Sequence, residues 1–222
     1  MSTVAQAQAS STTASLTIEY FLDALAARQS MPGGGAAAAV TGAQAAGLVS
    51  MVVNFTLGNP KYVAVEEQMR TYLQASEALR QQIIKLADED VTAFNRVAAG
   101  YALPRSTETE KALRTAAIQE ALKGATEVPL ALAEQCLALL RLVEPVAAKG
   151  NVNVVSDAAT ALYLADAALR SALVNVNINL KTLKDADYVA AATVRRDGLL
   201  SAATTAYARA KAACTETLGV TL

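Results

Sequence analysis

Between Arg28 and Lys61 the chain carries no charged side chain. A segment of that length is either a helix enclosed by other helices or one that crosses a bilayer, for which about 20 apolar residues suffice. Ala, Gly, Ser and Thr dominate it, Gln44 and Asn54 interrupt it, and few Leu, Val or Phe are present to favour lipid. A central buried helix, in a protein with no membrane partner, is therefore the expectation. The break at Ser30-Met31-Pro32-Gly33-Gly34-Gly35 and the stop at Gly58-Asn59-Pro60 place that helix at about Gly35 to Leu57. Its small residues Ala39, Gly42, Ala46 and Ser50 allow very close approach of a neighbouring helix or of a second subunit.

The remainder also reads as helix. Thr17 caps a short helix running to about Arg28, with Glu19 in its first turn and Tyr20, Phe21 and Leu25 on an apolar face. Val65, Met69, Tyr72, Leu79, Ile83, Leu86, Phe94 and Val97 step by three, four or seven, which predicts one long helix from Tyr62 to about Ala99. Thr107 and Glu110 have the spacing of a capping box. The helix they open is expected to kink or restart at Pro129 and to end by Pro145 and Gly150. Ser156 reads as the N-cap of the next helix, which extends through Leu173 towards Leu180. Val174 to Asn179 alternates like a strand, but no partner strand is evident, so it stays helical. A last helix covers about Ala186 to Thr217. Residues 1–15 have neither the basic start nor the apolar stretch of a signal peptide and read as a disordered tail. Residues 16–222 then form a single all-α domain, a bundle of long helices.

Composition narrows the chemistry. There is no histidine, which removes the default acid/base residue and the commonest zinc ligand. Catalysis must use carboxylates, lysine, tyrosine or backbone, and no metal is expected. Nineteen Lys and Arg against 20 Asp and Glu exclude a basic nucleic-acid footprint at the level of the whole chain. Cys136 and Cys214 lie far apart with no CxxC spacing, as expected for reduced thiols of a cytoplasmic protein.

Several residues could carry chemistry, each with a plainer alternative. Pro32-Gly33-Gly34-Gly35 opens a helix, whose free N–H groups would bind an anion or simply start the helix after a turn. Asp90 stands on the apolar stripe between Leu86 and Phe94; it is a functional acid or half of a structural ion pair. Asp157 follows Ser156 at a helix start, where a carboxylate is stabilised in any case. Asp166 and Arg170 have i, i+4 spacing and read as a surface salt bridge. Lys61 and Lys149 border glycine-containing breaks, as catalytic groups or solvated side chains. Asn151, Asn153, Asn175, Asn177 and Asn179 could hydrogen-bond a heterocycle or fill loop and helix-end roles.

Taken in order, Pro32-Gly33-Gly34-Gly35 before an alanine-rich helix, Asp90-Val91-Thr92-Ala93-Phe94, Tyr101-Ala102-Leu103-Pro104-Arg105 and the run from Lys149 to Asp157 resemble the cyclodeaminase/cyclohydrolase family over residues 16–215. The resemblance implies an all-helical homodimer that acts on a one-carbon unit carried by tetrahydrofolate, with no cofactor besides that substrate. With no histidine to take a proton, Asp90 and Asp157 are the candidate proton-handling catalytic carboxylates and Lys61 the second-choice catalyst. Ser30, Pro32, Gly33, Gly34, Gly35, Asn54, Lys149, Asn151, Asn153 and Ser156 would bind substrate. Three departures from the family pattern stand out: Ser30 replaces a proline, a lysine run is reduced to Asn59-Pro60-Lys61-Tyr62, and Arg105 replaces a lysine. The second weakens any expected grip on a polyglutamate tail.

Two reactions fit this resemblance. Water can add to the carbon bridging N5 and N10 of methenyltetrahydrofolate, giving 10-formyltetrahydrofolate. Alternatively, a formimino group on N5 can close onto N10 with loss of ammonia. At 222 residues there is no room for a transferase domain to supply the formimino compound, so methenyltetrahydrofolate cyclohydrolase is the expectation and cyclodeaminase its alternative. A non-catalytic folate-binding module is the reading from another class; retention of Asp90, Lys61, Lys149 and Asp157 favours an enzyme.

Overall fold

The computed structural model describes residues 12–222 as six α-helices joined by short connections, two of which contain a 3-10 turn, with no strand among the described residues. They are α1 (Ile18–Ala26), α2 (Gly34–Thr56), α3 (Glu66–Ala102), α4 (Glu108–Lys149), α5 (Val155–Thr182) and α6 (Ala186–Leu218). The five long helices run alternately up and down, so α2, α4 and α6 run one way and α3 and α5 the other. Residues 1–11 of the expected tail lie outside the described residues. Within that tail Thr13–Ser15 forms a 3-10 turn, held by Thr13, whose N–H and Oγ1 both donate to Asp88 Oδ1 at 2.8 and 2.6 Å.

The central helix is α4, which packs on α2, α3, α5 and α6. Its long side chains Leu130, Leu139, Leu140, Val143 and Val146 are fully enclosed. The uncharged helix α2 lies instead in the groove between α3 and α5. Its inner face is buried from Gly35 to Thr56, while Ala37, Val40, Gln44, Leu48, Met51 and Phe55 form a stripe left partly exposed. α2 is long and apolar enough to cross a membrane, with a mean hydropathy of 1.6, yet more than half of that window is covered by its own neighbours.

Small residues set the spacing inside this groove. A Cβ added at Gly42 would fall 3.1 Å from Cys136 Sγ, 3.2 Å from Ile83 Cγ2 and 3.5 Å from Ala168 Cβ, so α3, α4 and α5 converge on one glycine. The same burial pushes the Cys136 thiol up to about 12. One turn or two further on, Ser50 and Ser76 share a buried 2.8 Å hydrogen bond between α2 and α3.

Most helix limits agree with the sequence, and the Thr107–Glu110 capping box is formed. Three expectations are corrected. α4 continues through Pro129 and past Pro145 to Lys149 without a restart. A proline costs a helix one hydrogen bond and a clash with the preceding turn, and here burial of Pro129 among the leucines of α4 offsets that cost. Ser156 is no cap: α5 starts at Val155 after a 3-10 turn at Val152–Val154, and Val154 at the N-cap position supplies no side-chain bond. Likewise Tyr62 lies in a 3-10 turn, Pro60–Val65, opened by the Asn59 side chain, before α3 begins. Val174 to Asn179 is helical as expected.

Replacing Gly42 by Val should lower stability by about 1–3 kcal/mol through overpacking; denaturant unfolding monitored by circular dichroism would measure it. An unchanged midpoint would show that the three helices can move apart at little cost.

Candidate functional site

The polar residues of interest gather at the two ends of α2, roughly 33 Å apart at 1.5 Å rise per residue. At its N-terminal end, Ser30, Met31, Gly33, Gly34 and Gly35 border a cavity of about 300 Å³. Its other walls come from Asp90, Ala93, Phe94 and Val97 of α3, Ala125 of α4, and Asn175 and Asn179 of α5. The Met31–Pro32 peptide is cis, and Pro32 itself does not reach the cavity wall.

Asp90 is fitted to Gly35. A Cβ built on Gly35 would lie 2.6 Å from Asp90 Oδ2 and 2.5 Å from its Cγ, so the carboxylate occupies the space that any other side chain would need. Gly33 caps α2 with no side chain of its own, and the N–H of Ala36 is turned to Asp90 instead. Burial pushes the Asp90 carboxyl above the ordinary carboxylate range, and the Ala36 N–H pulls the other way without cancelling it. No basic side chain lines the cavity. Asp90 is therefore neither half of an ion pair nor a solvated surface acid. It is a half-buried carboxylate, partly withdrawn from water, at the positive end of a helix.

Facing it across the cavity are two amides whose orientation is fixed by α-helical carbonyls. Pro129 has no N–H, so the carbonyl of Ala125, four residues earlier, has no helical donor. Asn179 Nδ2 donates to that oxygen at 2.8 Å. Asn175 Nδ2 donates to Ser171 O at 3.1 Å. In each case only the nitrogen can donate to a carbonyl, so Oδ1 is the atom left over as an acceptor. The cavity thus offers a carboxylate and two amide oxygens to a cation or to N–H groups, with the unpaired N–H groups of the α2 start beside them.

The second group lies at the other end. Asn151 is buried and fully used: Nδ2 donates to Phe55 O, Oδ1 accepts from Asn153 N–H, and its own N–H donates to Thr56 Oγ1. Lys149 donates to Gln68 Oε1 at 2.9 Å, and Tyr62 OH accepts from Val152 N–H. Lys61, Asn54, Asn153 and Ser156 are exposed, and Asp157 is half-buried in the first turn of α5. The chain brings Ser30, Gly33, Gly34 and Gly35 to Asp90, and none of the second group. Asp166 and Arg170 form the expected salt bridge. Among the described residues no three His, Cys, Asp or Glu side chains are placed to hold a metal.

The formiminotransferase-cyclodeaminase family model matches residues 17–197. The chain belongs to this family. It is 49% identical to the methenyltetrahydrofolate cyclohydrolase of Methylorubrum extorquens, over 84% of this chain and 90% of that protein. Rat formimidoyltransferase-cyclodeaminase is 34% identical over 76% of this chain, which spans only 31% of that larger protein. The crystal structure of formiminotetrahydrofolate cyclodeaminase from Thermotoga maritima superposes with a TM-score of 0.83 at 32% identity, covering 91% of this chain and 98% of the other.

The sequence marks Asn179 as a candidate but not its pairing with the Ala125 carbonyl, because a proline shows which carbonyl is freed and not which side chain takes it. The i, i+4 pair Asn175 and Asn179, unfavourable inside a helix, was the available signal.

Gly35→Ala should displace the Asp90 carboxylate. Alanine favours helix by roughly 0.5–1 kcal/mol over glycine, so melting temperature should hold or change little while activity collapses. Equal activity in the variant would show that Asp90 does not need this seat.

Proposed function

We propose that the chain is a methenyltetrahydrofolate cyclohydrolase, with Asp90 as the general base. The observation that carries this reading is the Asp90 carboxylate held against Gly35, half-buried and without a basic partner, in a cavity with no positively charged side chain in its walls. The substrate's amidinium is a delocalised cation that such a wall attracts. Water adds to the carbon between N5 and N10, and its proton passes to Asp90, leaving a neutral carbinolamine. The bond to N5 then breaks, N5 takes up a proton, and the hydroxyl loses one to become the formyl oxygen. Overall one cation and one water give one neutral product and one released proton. The reaction needs no cofactor beyond the substrate. Between the two family activities, the 49% identity to a cyclohydrolase over nearly its full length favours water addition over ammonia loss.

A homodimer completes this reading. The partly exposed stripe from Ala37 to Phe55 carries no charge, and Phe55 is 56% exposed. Packing of that stripe on its copy about a two-fold axis perpendicular to α2 would set the two α2 helices antiparallel. The Asp90 end of one protomer would then lie near the Lys61 and Asp157 end of the other, which gives those residues a route to the site. Both cysteines are buried and free, which suits the cytoplasm.

Loss of near-ultraviolet absorbance of methenyltetrahydrofolate, faster than in buffer, tests the activity. Ammonia release from formiminotetrahydrofolate instead would favour the cyclodeaminase. Asp90→Asn should lower turnover by roughly 10²- to 10⁴-fold. Because a base must be ionised, wild-type kcat/KM should rise with pH through an inflexion above the ordinary carboxylate range, and the variant should lose that inflexion. Stability should move the other way. A carboxyl whose folded pKa is raised weakens the fold as pH climbs from its unfolded to its folded value, so at neutral pH the Asn variant should be at least as stable as wild type. An Asp90→Asn protein that unfolds more easily and keeps its turnover per folded molecule would return Asp90 to a capping role. Phe55→Glu should shift light scattering from dimer to monomer at micromolar concentration; a monomeric wild type would remove the dimer from the proposal.

A further inference from the structure

The Asp90 cavity, about 300 Å³, sits at the lower limit of the roughly 300–1,000 Å³ usual for ligand pockets. A reduced folate also carries an aryl ring and a glutamate with two carboxylates, and these must continue elsewhere. Two hollows lead away along α5. Gly34 and Asn175 are shared with a hollow of about 400 Å³ between α2 and α5, whose walls include Ala37, Thr41 and Ser171. That hollow meets a trough of about 740 Å³ between α5 and α6 at Val174, an apolar ridge 59% exposed.

The lining changes along this path. It begins with a carboxylate and two amide oxygens, continues over uncharged small residues and Val174, and ends among Arg170, Lys181 and Arg196, with Asp197 the acidic residue of the trough. Arg170, Val174, Asn177 and Lys181 share one face of α5 at i, i+4, i+7 and i+11 spacing. Arg170 is already paired with Asp166. Lys181 forms no ion pair among the described residues, and Arg196 pairs with its neighbour Asp197 on α6 and reaches across the trough to Asn177 Oδ1. A larger cavity of about 750 Å³ touches the Asp90 site at Ala93, but its charged groups are Glu89 and Glu120 against Arg96, a surplus that repels a dianion.

We propose that the α5–α6 trough is the subsite for the glutamate carboxylates of the folate substrate, with Lys181 and Arg196 as the residues that grip them and Val174 beneath the aryl ring. This rests on the folate reading of the Asp90 site. Lys181 and Arg196 act on binding, so their loss appears in KM and leaves kcat in place.

The test compares wild type, Lys181→Glu with Arg196→Glu, and Arg96→Glu as a control, at low ionic strength. Substrates are methenyltetrahydrofolate as mono- and triglutamate, and methenyltetrahydropteroate, which lacks the glutamate. The double variant should show KM raised about tenfold for the monoglutamate, more for the triglutamate, and unchanged for the pteroate, with kcat within about twofold and unaltered melting temperature. The control should match wild type throughout. A KM change equal for all three substrates, or none, overturns the subsite. If wild type hydrolyses no methenyl compound, the cyclohydrolase reading fails separately. Equilibrium binding of 5-formyltetrahydrofolate against 5-formyltetrahydropteroate then decides the subsite: a preference for the glutamate form that the double variant loses supports it, and no preference overturns it.

Discussion

Close approach to α2 is the constraint on which the other features depend. With no side chain at Gly42, α3, α4 and α5 meet there, and a single added carbon would crowd the Cys136 sulfur, an Ile83 methyl and the Ala168 methyl. The same closeness, seven residues earlier at Gly35, brings Asp90 of α3 onto the first turn of α2. One property of the buried face from Gly35 to Ala46, the absence of large and charged side chains, thus sets both the packing of the core and the environment of the proposed base. The absence of charge also leaves the outer stripe of α2 poorly suited to water, which ties the same residues to the proposed dimer.

Pro129 shows how a helix defect is put to use at the cavity wall. An isolated interior proline leaves one carbonyl without its donor, and a buried unsatisfied carbonyl is costly. Asn179 supplies the missing donor to Ala125 O at 2.8 Å. The bond ties α5 to α4, and it leaves Oδ1 as the free acceptor of an amide that lines the cavity. Had α4 been an unbroken hydrogen-bonded helix, the Asn179 nitrogen would be free to turn inward and present a donor to a cationic substrate, which is the wrong sign. Structural repair and site electrostatics are therefore served by one hydrogen bond.

Much of this was legible in the sequence, for local reasons. Caps, breaks and apolar periodicity are encoded within a few residues, so Thr107 with Glu110, the stop at Gly58-Asn59-Pro60 and the helical reading of Val174 to Asn179 match the structure. Asp90 stood out because a carboxylate on an apolar stripe is anomalous wherever the partners lie. Distance between segments is not encoded locally. Asp90 and Asp157 were read into one site, yet antiparallel α2 and α5 hold them at opposite ends of the bundle. Asn151 looked available for a ligand because its three partners, the Phe55 carbonyl, the Thr56 hydroxyl and the Asn153 N–H, are partly nearly a hundred residues away. The prolines misled for a related reason: their cost in an isolated helix is certain, but the burial and side-chain repair that offset it come from other elements.

As the proposed general base, Asp90 has to meet two demands that conflict. A general base is most useful when its pKa lies near the working pH, which calls for burial. A buried carboxylate with no partner is costly, which calls for stabilisation of its charge. A lysine or arginine beside it would satisfy the second demand and defeat the first, by holding the group well below the useful range. Backbone N–H groups at a helix start are a weaker donor set, carrying partial charge and no proton to lose. At Asp90 burial outweighs the Ala36 N–H, so the group stays tolerable in the fold and remains a usable base. In a chain with no histidine, the first turn of an uncharged helix is one of few places where that balance can be struck.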